Sequence, residues 1–173
     1  MSTMSPVKGF AVVVAIAVVV IIYLALAHYF SIAEFWVGFL WLFYWAGIEG
    51  ADLKKIDASI IGALVGMLVG FSLRILPVQL ADVVEVVNVG LVMALALVVF
   101  LVYCSVMGWL KLLVNNATML FLTVFTIVHI QEHGAFSSMA AALLLAVVFF
   151  GGLFWVGMFF KKRALIKAPS LID

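Results

Sequence analysis

Charge is what this sequence has least of: only 10% of its 173 residues are Asp, Glu, Lys or Arg, against about 25% in soluble domains. A single cysteine, Cys104, excludes an intrachain disulfide and gives no thiol cluster for a metal. Three prolines leave the apolar runs almost uninterrupted. The net charge of +1 lacks the basic surplus that nucleic acid would need, so no nucleic-acid partner is expected.

What fills the space is grease. Hydrophobic residues make up 69% of the chain, and the mean hydropathy is +1.41. A soluble fold of this length has no interior large enough to hide that surface, so membrane lipid must cover it. The expected fold class is all-α: a polytopic membrane bundle of about six transmembrane helices, forming a single domain over residues 1–173.

Six apolar segments separate at polar or turn-forming clusters: Phe10 to Phe30, Phe35 to Ile48, Ala58 to Leu76, Val86 to Met107, a fifth opened by Asn115 and Asn116 and ending near Ile130, and Met139 to Phe160. The first follows Lys8 and ends in Leu24 to Ala27, which imitates a secretory signal. Its apolar run is longer than such signals carry, so it reads as a transmembrane helix. With six spans, Lys8, Lys54, Lys55, Lys111, Lys161, Lys162, Arg163 and Lys167 share one side and Arg74 stands alone on the other. Basic residues mark the cytoplasmic face, so both chain ends are expected inside. Tyr29 and Trp36 near the outer interface, and Tyr44, Trp45, Trp109 and Trp155 toward the inner one, fit aromatic anchors.

The halves 10–80 and 86–160 resemble each other: an aromatic or polar-led span, a polar break (Ile48-Glu49-Gly50; Gln131-Glu132-His133-Gly134), then a small-residue span. Three spans per half would insert the halves with opposite orientation, a 3+3 inverted repeat. Gly62, Gly66 and Gly70 recur every four residues in the third span, and Ser138, Ala142 and Ala146 in the sixth. Such spacing marks helix–helix seams, within one subunit or between subunits.

Polar groups at membrane depth are candidates for function. Asn115, Asn116, Thr118 and Thr126 could line a hydrated path for a small solute, or instead fix helices and bond back to the preceding turn. Glu49 and Glu132 would be equivalent acidic positions at opposite mouths, or plain solvated charges. His129 joins the candidate path. His129 and His133, four apart without a cysteine, are a thin basis for a metal site, and no metal or cofactor is expected. Asp82 and Glu85 read as helix-starting acids. No phosphate loop, metalloprotease helix, nucleophile elbow or catalytic set is present, so no catalytic residue is assigned and an enzyme is the least favoured class.

Trp36-Val37-Gly38-Phe39-Leu40, then Gly50, Leu53-Lys54, Ser59 and a glycine-rich helix, resemble the bacterial inner-membrane domain-of-unknown-function family 1097. Asn115-Asn116-Ala117-Thr118 leading into Thr123-Val124-Phe125 is similar to that family's second half. The resemblance spans residues 35 to 160 and implies a small multi-spanning protein of the cytoplasmic membrane with no established activity. The first span and the charged Glu49 to Asp57 loop depart from the family pattern.

Three functions follow as expectations. The leading one is an inner-membrane channel or transporter for a small solute, acting as a homo-oligomer because so small a bundle has little room for a private pore and exposes a glycine seam. The others are an accessory or assembly subunit of a larger membrane complex, and a membrane-embedded enzyme.

Overall fold

The computed structural model describes residues 5–80, 88–127, 130 and 135–167, and every regular element among them is helical. Helix α1 (Pro6–Tyr29) is followed by α2 (Trp36–Leu42), which runs on as a π-helical segment, Phe43–Ile48. A 3-10 turn, Leu53–Lys55, leads into α3 (Ile56–Gln79), then come α4 (Val89–Met107) and α5 (Asn116–Phe125). Helix α6 (Phe136–Ala146) continues through a second π-helical segment, Val147–Gly151, into α7 (Gly152–Lys167).

Four stretches are long and apolar enough to cross a membrane: Pro6–Tyr29, Leu53–Gln79, Val89–Met107 and Phe136–Arg163. The other two, Trp36–Ile48 and Asn116–Phe125, are shorter. At 1.5 Å per residue, α5 extends about 15 Å and Trp36–Ile48 about 20 Å, against a hydrocarbon core of about 30 Å. Among the described residues, four long helices and two short ones therefore stand where six similar spans were expected. Helix α5 ends at Phe125, where the chain tightens: the Ile127 N–H donates to the Val124 carbonyl, three residues away.

Local chemistry sets the other boundaries. Pro6 opens α1, where its missing N–H costs nothing. Asn88 caps α4 by accepting from the Leu91 amide at 3.0 Å, and Gly108 ends it at φ +67°, a conformation that suits glycine.

Helix α3 is the hub. Of its most apolar stretch 44% is buried, against 11% for α1. Its glycine stripe faces α5 throughout: Gly62 lies against Asn115, Gly66 against Thr118, Phe121 and Leu122, and Gly70 against Phe125. Residue numbers rise together along this contact, so the two helices run parallel. Asparagines clamp α3 at both ends, Asn115 donating to the Ala58 carbonyl at 2.8 Å and Asn88 to that of Pro77 at 3.1 Å.

The second seam joins α2 to α6. Gly38 makes room for the Tyr23 ring and the Ala146 methyl. The Tyr23 hydroxyl donates to the Phe35 carbonyl at 3.0 Å and lies 3.5 Å from that of Ala142. Ser138 donates to the Glu34 carboxylate, so this pair of helices is also parallel. Trp36 stacks on Phe125 at 5.7 Å and ties the two short helices together.

Both small-residue stripes are therefore filled from within the chain. The glycine stripe is not left exposed for a second copy, and that ground for an oligomer falls away. Tyr44 and Trp45, expected as interfacial anchors, are buried. The π-helical turn causes this: its wider register lets these neighbours both face inward, and Trp41 stacks on Trp45 at 5.1 Å. Trp109, Trp155 and Tyr29 are exposed.

A methyl added at Gly66 would stand 2.4 Å from the Thr118 carbonyl oxygen and 2.8 Å from the Leu122 amide, both backbone atoms that cannot swing aside. Gly66→Ala is therefore expected to destabilise the fold by about 1–3 kcal/mol, the usual range for overpacking. Gly157→Ala, with nothing within 4 Å of the new methyl, should be neutral or slightly stabilising. Reversible unfolding in mixed micelles measures both, and equal losses would contradict the seam.

Candidate functional site

Polar side chains gather where α2 ends, α3 begins and α5 begins. The Asn115 oxygen accepts from the Ala117 and Thr118 amides at 2.9 and 3.3 Å, while its amide group donates to Ala58 on α3 and to Lys111 and Leu112 before α5. The Thr118 hydroxyl closes a capping box by accepting from the Asn115 amide at 3.1 Å, and donates to the Leu113 carbonyl at 2.7 Å. Every polar atom of these two side chains is committed to holding the start of α5. A cap of this kind contributes about 0.5–2 kcal/mol, and here it also locks two helices.

Glu49 occupies the loop opposite. Its carboxylate accepts from the Tyr44 hydroxyl at 2.8 Å and forms a close ion pair with Lys55. The loop turns on two left-handed residues, Gly50 at φ +66° and Ala51 at φ +56°. The strain at Ala51 is held by its amide bond to the Trp45 carbonyl at 2.9 Å and by the Trp45 indole, which donates to the Asp52 carbonyl at 3.0 Å. Trp41 donates to the Ser59 hydroxyl at 3.1 Å, completing the link from α2 to α3.

Of the expected path residues, Asn115 and Thr118 come together at the α5 cap, with Glu49 on the facing loop. Asn116 is exposed on the first turn of α5. Thr126 lies at the far end of α5 and bonds back to the Thr123 carbonyl at 2.7 Å, as a threonine in a helix commonly does. His129 and Glu132, with His133, Asp82 and Glu85, lie outside the described residues. No continuous polar path links the described candidates, because Trp41, Met67, Phe121 and Phe125 fill the space between their helices.

Tyr23, Tyr44, Trp41, Trp45 and Ser59 form the polar skeleton that sequence reasoning missed. The signal was there: aromatic residues with one polar atom, which can bury a ring and still satisfy a carbonyl or a carboxylate. Two open grooves among the described residues are apolar. One of about 340 Å³ runs between α1, Leu42 and Phe150, and another of about 330 Å³ lies beside Leu68, Phe71 and Ile75.

No family model matches the chain, and neither a curated protein nor a solved structure matches it. The resemblance to family 1097 rests on the residues quoted for it alone.

The Lys55 ammonium, and after it the Tyr44 hydroxyl, hold the Glu49 carboxyl below the ordinary carboxylate value. A carboxylate favoured in the folded state adds stability above its unfolded titration range, and that stability is lost as pH falls through the lowered folded value. Glu49→Gln should therefore be less stable than the parent at neutral pH, the gap closing as pH drops below about 4. Unfolding midpoints measured against pH test this, and a gap unchanged down to the acid limit would contradict the ion pair.

Proposed function

We propose that the chain is a small multi-spanning protein of a bacterial cytoplasmic membrane, acting in an oligomer as a channel or transporter for a small solute. Its basic residues support the orientation: Lys54, Lys55 and Lys111 belong to the same end of the bundle, from which α7 also leaves, and that end is read as cytoplasmic.

The observation that carries the reading is how the two short helices are held. Divided between α3 and α4, the chain has one short helix in each half. Each lies parallel to the long small-residue helix of the other half: α2 on α6 through Gly38 and Ala146, α5 on α3 through Gly62, Gly66 and Gly70. A two-fold operation exchanging the halves would exchange these contacts, as an inverted repeat over 10–80 and 86–160 requires. Short or interrupted apolar segments at matching positions of inverted halves are where transporters build their sites. The warrant is architectural, since the Asn115 and Thr118 groups are spent on packing. With the subunit core filled, the solute route runs at a boundary between copies, where Asn116 is exposed.

One observation favours the second reading, an accessory subunit. Val12, Val13, Ile16, Val18 and Ile21 leave α1 bare along much of its length, a dry face that a partner's helices would cover.

Gentle extraction with native mass measurement, followed by liposome reconstitution, separates the two. The transport reading predicts a homomer that speeds osmotic swelling in a panel of small neutral solutes, with Asn116→Leu slower. A stoichiometric foreign partner and no permeation would replace it with the accessory reading.

A further inference from the structure

The charged loop between α2 and α3 has a measurable depth. Gly151 abuts Ile56, the first residue of α3: a methyl added there would be 3.3 Å from the Ile56 Cδ1 atom. The Phe154 ring meets Trp45 edge-on at 5.4 Å, and the same indole holds the Asp52 carbonyl. The loop is therefore level with the start of α7.

Helix α7 does not end there. Trp155, Val156, Met158, Phe159 and Phe160 follow, all exposed, with no polar residue before Lys161. A helix lying in the headgroup layer needs a polar face, and one apolar on all sides belongs in hydrocarbon. Lys161, Lys162 and Arg163 then mark the headgroups, with the Arg163 guanidinium 4.3 Å above the Phe159 ring. From Phe154 to Lys161 the helix rises about 10 Å.

Asp52, Lys54, Lys55 and Asp57 are exposed at that inner level. Exposed charges facing acyl chains are costly, and intramembrane charges face protein or a water-filled cavity. We infer that the loop is the floor of a water-filled recess, about 10 Å deep with α7 along the bilayer normal, open toward the headgroups and bordered by the α7 face that carries Gly151 and Phe154, while the opposite face of α7 is covered by lipid. The recess holds whether or not a solute crosses the bundle.

Nitroxide labels on the full chain in liposomes test it, with buried Cys104 replaced by Ala or, if that harms folding, left in place. Labels at Asp52→Cys and at Val156→Cys, on the α7 face opposite Phe154, are compared for collision with a water-soluble nickel chelate and with oxygen. The recess predicts a chelate-to-oxygen ratio several-fold higher at Asp52 than at Val156, although Val156 lies nearer the headgroups. Equal chelate access at both positions would overturn it by putting α7 in water, and an oxygen-dominated Asp52 would overturn it by putting the loop in lipid. A chelate-dominated label at Val18, in α1, would overturn it together with the membrane reading, and so tells the two failures apart.

Discussion

The approach of α5 to α3 is the contact on which the rest of the structure depends. Between helices in lipid there is no hydrophobic drive, because acyl chains are as apolar as leucine; close packing and hydrogen bonds must hold the pair. Three glycines provide the packing and Asn115 provides the bonds. Helix α5 is ten residues long, too short to be stable alone. It persists because its first turn is capped by its own asparagine and tied to the Ala58 carbonyl, while its body lies in a trough that a single methyl would fill.

The remaining architecture follows from that trough. Helix α3 continues past Gly70, and Asn88 secures its far end by donating to the Pro77 carbonyl. Phe125, held at Gly70, offers its ring to Trp36 and positions α2. Helix α2 then needs its own narrow place, which Gly38, Ala142 and Ala146 provide around the Tyr23 ring. At the charged end, the π-helical turn brings Tyr44 to Glu49 and Trp45 to Asp52, so the loop closes over the bundle with its polar atoms satisfied. Among the described residues no buried side-chain polar atom lacks a partner, as membrane interiors demand.

Much of this was legible in the residues. Composition required lipid, and the every-fourth-residue spacing of Gly62, Gly66 and Gly70 and of Ser138, Ala142 and Ala146 located both seams. What could not be read was their partners, because a small-residue stripe looks the same whether it meets a helix of its own chain or of another. The lengths of the short helices were hidden for a related reason: Thr126 and Ile127 continue the apolar run, while α5 ends at Phe125. Asn115 was read as lining a path or as fixing helices, and its cap and its bond to α3, which use all its donors and acceptors, give it the second role. Tyr44 and Trp45 were read as belt residues because their position near a span end is the same in either role, and only the π-helical register turns them inward.

The central claim is the parallel register of α5 on α3, and intrachain disulfide formation tests it most directly. In a Cys104→Ala background, cysteines at Phe71 and Phe125, whose rings lie 5.9 Å apart, should be joined by a short bis-methanethiosulfonate reagent, through a disulfide at each end, to a bridge detectable by intact mass. Cysteines at Phe71 and Ala117, separated by most of the length of α5, should not. A bridge in the second pair and none in the first would mean that α5 runs the other way, and the glycine seam as described would not exist.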